Sequence, residues 1–185
     1  MSANQIHHFY VSLGSNKPMA GKSPADLVLG GFSALKALGK MMVLSPLYRA
    51  DAWPDPEAPA YVNAVAGGLT VLSPEAILAG MLAIEVGFSR VRSNDPALRY
   101  APRTLDLDLI SYGDAVLNTD TLTIPHPRLH ERAFVLAPLA KIAPNWCHPT
   151  LGKSAVSLLD ELDDIGRRAV ARLPFSGKCL AGDAP

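Results

Sequence analysis

The spacing of apolar and polar residues divides most of the chain into short strands and two helices. Runs rich in β-branched, aromatic and aliphatic residues predict strands at 9–13, 41–49 and 61–71, and a fourth strand beginning at Asp106. Pro46 lies inside the second run and lacks a backbone N–H group. We therefore expect an edge position or a bulge there.

Two similar helix starts separate these strands. Ser23-Pro24 and Ser73-Pro74 each combine a capping hydroxyl with a proline suited to the first helical position, and an acidic residue follows in the first turn. Apolar residues then recur with helical spacing, and Gly39 is the expected stop of the first helix. The second helix is expected to run through Ile84.

The resulting order, β-α-β-β-α-β, predicts an α+β fold of the ferredoxin-like type. This plan has an antiparallel sheet with helices on one face, and here we expect C-terminal helical extensions after Ile124. The acidic run at 160–164 is interpreted as the solvated face of one such helix. We expect a single catalytic domain over 1–185, with a core at about 8–165 and a loose tail at 175–185.

Composition narrows the class of protein. The 185 residues carry 17 basic and 17 acidic side chains, so no overall field favours nucleic acid or an anionic membrane. No run is long and apolar enough to cross a bilayer, and the start lacks the pattern of a signal peptide. Two cysteines without a CxxC pairing predict reduced thiols, with a structural disulfide as the less favoured alternative. We expect a cytoplasmic monomer with neither nucleic-acid nor membrane partners.

The segment Arg99-Tyr-Ala-Pro-Arg103-Thr-Leu-Asp106-Leu-Asp108-Leu-Ile110 carries the clearest chemistry. Alternate residues of a strand point the same way, so Asp106 and Asp108 share a face while the leucines take the other. Paired carboxylates suit Mg²⁺, and the nearby arginines suit phosphate groups. An isolated D-x-D pattern is more often a solvated strand edge, but the arginines and Pro102 at fixed offsets favour a site.

The same segment resembles the signature of the 6-hydroxymethyl-7,8-dihydropterin pyrophosphokinase family. Further blocks resemble that family in the same order, over roughly Phe9 to Trp146. They are Val11-Ser-Leu-Gly-Ser-Asn16, Ser45-Pro-Leu-Tyr-Arg49, Tyr61-Val-Asn-Ala-Val65 and the stretch from Ile124 to Leu139. The resemblance implies a ferredoxin-like enzyme that moves the β,γ-diphosphate of ATP onto the hydroxymethyl group of the pterin. AMP and the pterin diphosphate would be its products.

The resemblance also implies roles for individual residues. Asp106 and Asp108 match the aspartates that hold two Mg²⁺ ions, and both count with Arg90 and Arg92 as catalytic. The residues implied in ATP binding are Arg90, Arg92, Arg103, His126 and Arg132. The residues implied in pterin binding are Tyr61, Asn63, Phe134 and Asp106, with the two aromatic rings enclosing the pterin. Glu85 resembles a helix glutamate of the family, and no catalytic role is predicted for it.

Two other functions compete with this interpretation. A palm-type nucleotidyl transferase also presents carboxylates from a sheet to metal ions, but it would attack the α-phosphorus and release pyrophosphate. A non-enzymatic RNA-binding sheet would require an aromatic RNP pattern and a basic face, and the sequence has neither. Taken singly, Tyr61 and Phe134 could be core aromatics, and His126 a loop histidine. The ordered set of matching residues favours the pterin enzyme.

Overall fold

A computed structural model describes residues 5–52, 55, 57–90, 101–163, 166 and 170–174. A 3₁₀ turn over Leu129–Glu131 precedes the third helix. In chain order the elements are β1 (His7–Ser15), α1 (Pro24–Leu35), β2 (Lys40–Leu44), β3 (Tyr48–Ala50), β4 (Tyr61–Thr70), α2 (Pro74–Gly87), β5 (Asp106–Tyr112), β6 (Leu117–Asn118), β7 (Thr123–Ile124), α3 (Ala133–Ile142), α4 (Ala155–Glu161) and β8 (Val170–Arg172).

The main sheet has the strand order β5-β1-β4-β3-β8, and β2 also pairs with β4. Each pairing in it is antiparallel, with Gly14 of β1 opposite both Asn63 of β4 and Asp106 of β5. The fourth, first, third and second strands of the β-α-β-β-α-β unit therefore lie side by side, which confirms the ferredoxin-like prediction. The strand β5 lies at one edge, and β1 is its neighbour in the described sheet.

Both helix starts form as the sequence predicts. The Ser23 side chain accepts a hydrogen bond from the Asp26 N–H, while the Asp26 carboxylate accepts one from the Ser23 N–H. At the second start, the Ser73 side chain accepts from the Ala76 N–H. The first helix ends at Leu35, earlier than the predicted stop at Gly39, and a turn fills the interval.

The predicted second strand, Met41 to Arg49, is two strands in the structure. The break falls around Pro46, which has no N–H group to continue the ladder. Ser45 maintains the attachment to β4 across the break. Its N–H donates to the Val65 carbonyl at 2.9 Å, and its Oγ accepts from the Val65 N–H at 3.0 Å.

The two faces of the sheet are covered by different helices. On one face, α1 and α2 pack on an apolar core that includes Phe9, Val11, Leu107 and Leu109. On the other, α3 and α4 pack on a second cluster that includes Val65 and Ile110. The predicted C-terminal extension therefore covers the sheet face opposite the first two helices. This leaves one end of that face open for a site.

A side-chain hydrogen bond attaches the C-terminal extension to β5. The Trp146 indole N–H donates to the Ser111 hydroxyl of β5 at 3.0 Å.

Asp160 and Glu161 lie on α4, but Asp163 follows the end of that helix, so the acidic run predicted to be helical is only partly so. The tail predicted at 175–185 lies outside the described residues. Among the described helices, none is both long and apolar enough to cross a membrane.

Candidate active site

The two aspartates of β5 lie in a cleft of about 660 Å³ on the sheet face that α3 only partly covers. Asp106 and Asp108 both line this cleft, while Leu107 between them is buried in the core against α1 and α2. The predicted division of the strand into a carboxylate face and an apolar face is confirmed. The cleft brings together the sequence-predicted site residues Tyr61, Asn63, Arg90, Arg103, Asp106, Asp108, His126, Arg132 and Phe134.

Two arginines from different segments converge on Asp106. The Arg90 guanidinium contacts one carboxylate oxygen and also donates to the Leu105 carbonyl at 3.1 Å. Arg103 donates to the other carboxylate oxygen at 2.6 Å. A third arginine, Arg132, lies 3.7 Å from the Asp108 carboxylate. Cationic side chains therefore surround both carboxylates, and guanidinium groups at such a position can also pair with phosphate oxygens.

Asp108 carries charge that its surroundings compensate only in part. Desolvation is the largest influence, and the negative charge of Asp106 adds to it. Together they raise the Asp108 pKa to about 6, although Arg132 opposes the shift. A carboxyl group with a raised pKa beside a second carboxylate favours a bound cation, because the cation would relieve their repulsion. These hard oxygen donors fit Mg²⁺, which is commonly bound through one or two carboxylates with waters and substrate phosphates completing its shell.

His126 is held as a neutral hydrogen-bond donor. Its Nδ1 accepts from the Arg128 backbone N–H at 3.2 Å, which assigns the remaining proton to Nε2. Burial, followed by the charges of Arg132 and Arg128, lowers the His126 pKa to about 4. At neutral pH the ring is therefore uncharged, so it can donate one hydrogen bond to an anionic ligand without adding charge.

The same cleft also has an aromatic and amide lining. Tyr61 and Phe134 line it from β4 and from the start of α3, and Asn63 lies on the same face of β4 as Tyr61. The Asn63 side chain is buried, yet its Nδ2 has no hydrogen-bond partner among the described residues. Gly14 leaves the space beside this amide open, because a Cβ there would lie 3.1 Å from Asn63 Oδ1.

A second cavity, of about 530 Å³, adjoins the first. It shares Asp108 and His126 with the cleft and runs along the outer edge of β5 toward α2. Its remaining walls are largely apolar, with Leu78, Leu82 and Leu122 among them and the hydroxyl of Thr123 nearby. Two differently lined spaces thus meet at one carboxylate and one imidazole.

The structure adds site residues that the sequence did not indicate, and it leaves one prediction open. Arg92 lies outside the described residues, so its assignment stays a prediction. The lining of the second cavity was missed because its residues are ordinary apolar positions of α2 and of the segment before β7. Glu85 was noted only through the family resemblance. Its burial could also have been predicted, since it follows Ile77 and Met81 at intervals of four and so falls on the buried side of α2.

Comparison with known proteins decides the family. The model of the family 7,8-dihydro-6-hydroxymethylpterin-pyrophosphokinase (HPPK) matches residues 10–144. A 2-amino-4-hydroxy-6-hydroxymethyldihydropteridine pyrophosphokinase from Synechocystis sp. is 40% identical over 162 residues, covering 86% of this chain and 78% of the relative. The chain belongs to the HPPK family.

A second relative and a solved structure support the assignment to this family and fold. A pyrophosphokinase of the same name from Pseudomonas aeruginosa is 38% identical, over 76% of this chain and 83% of its own length. A crystal structure of Plasmodium falciparum HPPK-DHPS superposes on 93% of this chain with a TM-score of 0.65 at 14% identity, which supports the fold. The chain spans less than half of that longer protein, 47%.

Membership of the HPPK family confirms the activity expected from the sequence. The enzyme is an ATP-dependent diphosphotransferase that transfers the β,γ-diphosphate of ATP to the hydroxymethyl group of 6-hydroxymethyl-7,8-dihydropterin, in folate biosynthesis. Enzymes of this family use ATP with Mg²⁺. A palm-type nucleotidyl transferase is not favoured.

Proposed function

We propose that the cleft binds the pterin at its Tyr61–Phe134 end and the triphosphate at its Asp106–Asp108 end, and that two Mg²⁺ ions are held by the two aspartates. The observation that carries this assignment is the Asn63 amide. It is a buried Nδ2 without a partner among the described residues, and it faces the same cleft as the paired carboxylates. A buried donor without a partner is costly in a folded protein unless a ligand satisfies it.

The pterin end combines the features that a flat, polar-edged heterocycle requires. Tyr61 and Phe134 offer aromatic faces on which a ring can stack. Asn63 can donate from Nδ2 and accept at Oδ1, which matches the mixed edge of a pterin. Gly14 keeps this edge accessible, and Asp106 bounds the pterin at the reactive end. The hydroxymethyl group would then point toward the two carboxylates.

The nucleotide would occupy the opposite end and the second cavity. Its apolar walls suit a base, and its junction with the cleft at Asp108 and His126 would place the phosphates at the carboxylates. The His126 Nε2–H group can donate to a phosphate oxygen, and Arg132 adds a guanidinium 3.7 Å from Asp108. Arg90 and Arg103, which contact Asp106 in the free protein, become available to the phosphates once Asp106 carries a cation.

The reaction then requires alignment and charge neutralisation more than covalent participation by the protein. The hydroxymethyl oxygen loses its proton to solvent and bonds to the β-phosphorus, the bond from that phosphorus to the α-phosphate oxygen breaks, and AMP leaves. Mg²⁺ bound by the aspartates would neutralise the triphosphate and orient its oxygens. Arg90, Arg103, Arg132 and the neutral His126 would stabilise the negative charge that develops on the leaving α-phosphate.

Product analysis combined with a metal count tests the assignment. Incubation of the protein with ATP, Mg²⁺ and 6-hydroxymethyl-7,8-dihydropterin should give AMP only when the pterin is present, and release of pyrophosphate would contradict it. Electron paramagnetic resonance with Mn²⁺ should count two ions per chain in the presence of a non-hydrolysable ATP analogue and pterin. A count of one would reject the paired-metal site.

We further propose that the protein acts as a monomer in the cytoplasm. Analytical ultracentrifugation measures the oligomeric state, and a sedimentation coefficient of a dimer would contradict the first part of this proposal.

A further inference from the structure

Glu85 is a buried carboxylate on the face of α2 that packs against β5. It follows Ile77 and Met81 at intervals of four residues, and its exposed fraction is 1%, as low as that of Met81. Charged side chains are rarely this buried unless they are paired and hydrogen-bonded. Glu85 lies near the phosphate end of the cleft but is not part of its lining.

One oxygen of Glu85 braces the strand that carries the metal-binding pair. Oε1 accepts a hydrogen bond from the Leu107 backbone N–H at 2.8 Å, midway between Asp106 and Asp108. Because β5 is an edge strand of the described sheet, this N–H group would otherwise require water or another strand. The helix thus fixes the backbone between the two aspartates through one carboxylate oxygen.

The other oxygen of Glu85 faces Arg90. Oε2 lies 3.5 Å from Arg90 Nε, while the Nη1 end of the same guanidinium reaches the Leu105 carbonyl and the Asp106 carboxylate. The Arg90 side chain is only 9% exposed, so solvent screens these contacts weakly. One positive charge is therefore shared between two carboxylates, Glu85 on the helix and Asp106 on the strand.

We propose that Glu85 is a positioning residue that draws part of the Arg90 charge away from Asp106, so that a divalent cation can displace Arg90 from that carboxylate. This inference rests on the proposed assignment of Asp106 and Asp108 as the Mg²⁺ site. A guanidinium and a metal ion compete for the same oxygens of Asp106. A second counter-charge on Arg90 weakens its hold on Asp106 and favours the metal.

The direction in which Glu85→Gln changes cation affinity distinguishes the proposed role of Glu85 from a purely structural one. Glu85→Gln retains an oxygen that can accept from the Leu107 N–H but removes the negative charge facing Arg90. Arg90 should then pair more strongly with Asp106, and the divalent cation should bind more weakly. A brace that acts only on the backbone would leave cation affinity unchanged in this variant.

Binding of Mn²⁺ alone, followed by electron paramagnetic resonance in the absence of nucleotide, gives a readout independent of turnover. We expect Glu85→Gln to raise the Mn²⁺ concentration for half-saturation about tenfold, the scale of one charge-assisted hydrogen bond. Glu75→Gln, in the exposed first turn of the same helix, should leave it unchanged. The double variant Glu85→Gln/Arg90→Gln should return it to the wild-type value or below, because no Arg90 guanidinium then competes for Asp106.

The outcomes distinguish this inference from the assignment on which it rests. If Asp106→Asn binds Mn²⁺ as the wild type does, the proposed metal site itself is wrong. If Asp106→Asn weakens binding but Glu85→Gln does not, only the role of Glu85 is overturned. The same holds if the double variant stays as weak as Glu85→Gln. Should Glu85→Gln fail to fold, Arg90→Gln alone should tighten Mn²⁺ binding, and unchanged or weaker binding would overturn the role.

Discussion

The two faces of β5 have opposite properties although their residues alternate along one short strand. Leu107 and Leu109 face α1 and α2 and are almost completely buried. Asp106 and Asp108 face the cleft, where α3 covers the sheet only in part and side-chain exposure reaches 42% at Asp108. The difference follows from which helices cover each face. One face is devoted to packing, while the other remains accessible to ligands.

This comparison teaches that core packing and the proposed metal site are separated across a single backbone. The apolar face holds the strand in place, and the strand holds the carboxylates in register with Asn63 and the arginines. Substitutions on the two faces should therefore have different signatures. Those on the cleft side should act mainly on turnover and binding, and those on the core side mainly on the free energy of unfolding.

The largest effect is expected on the cleft face. Asp108→Ala should lower turnover about a thousandfold, because a metal contact stabilises the transition state by several kcal/mol. Its melting temperature should stay near that of the wild type, since Asp108 lines the cleft and is not part of the apolar core. AMP formation at saturating Mg²⁺ and thermal unfolding measure the two quantities. Near-normal turnover would contradict the metal assignment.

The matching test on the core side is Leu105→Ala, at the residue directly before β5, whose side chain lies in the same apolar cluster as Leu107. Leu105 is fully buried and packs closely on α1, where a Cβ placed on Gly31 would lie 2.9 Å from it. Such a truncation costs about 2–5 kcal/mol of unfolding free energy. Urea denaturation measures that loss, and turnover well below the melting temperature should change only a few-fold. Leu29→Ala, at an exposed position of α1, is the control. If Leu105→Ala and Leu29→Ala lost the same free energy of unfolding, the core side of β5 would not have the packing role that distinguishes it from the cleft side.

The cleft face can itself be divided by its two ligands. Asn63→Ala should weaken pterin binding about tenfold to a hundredfold, because it removes hydrogen bonds worth about 1–3 kcal/mol in a closed site. Nucleotide binding should change far less, and His126→Ala should show the reverse bias. Calorimetric titration of both variants with pterin and with a non-hydrolysable ATP analogue gives four affinities. An equal loss of nucleotide affinity in Asn63→Ala would place the pterin elsewhere.

The smallest effect concerns pH, where two cleft residues oppose each other. Asp108 has a folded-state pKa near 6 against an ordinary 3.8, so its contribution to stability falls as pH rises between these values. His126 has a folded-state pKa near 4 against an ordinary 6.5, so its contribution rises with pH over nearly the same interval. The pH dependences that Asp108 and His126 give to the free energy of unfolding should therefore largely cancel in the free wild-type protein.

Single variants separate these contributions. Relative to the wild type, Asp108→Asn should gain stability with pH more steeply between pH 4 and 6, and His126→Gln should gain it less steeply. Urea denaturation across this range, without Mg²⁺ or nucleotide, provides the slopes. If both variants follow the wild-type slope, the shifted pKa values of Asp108 and His126 are not linked to folding.

Alternation and helix-capping signals were sufficient to predict most of the fold. Ser23 and Ser73 begin helices as expected, and the two faces of β5 follow from its sequence. The division of the second strand at Pro46 was predicted only as an irregularity, because sequence alone does not show how Ser45 attaches to β4. The position of α3 and α4 on the open face depends on long-range packing that no local pattern specifies.

The candidate site was predictable where a residue carries distinctive chemistry. Asp106, Asp108 and the arginines are polar residues at fixed offsets, and the structure brings the described members of that set together. The apolar wall of the second cavity has no such signal, since Leu78, Leu82 and Leu122 resemble any core residues. The convergence of Arg90 and Arg103 on one carboxylate was equally invisible, because their separation along the chain says nothing about their separation in space.

That convergence bears on how the chain would tolerate insertions. Arg90 and Arg103 stand on either side of residues 91–102, and both contact Asp106, so two points far apart in the sequence are joined at one carboxylate. The entropic cost of joining two points of a chain grows only slowly with the number of residues between them. Residues added between Arg90 and Arg103 should therefore change the free energy of unfolding little, provided that both arginines still reach Asp106.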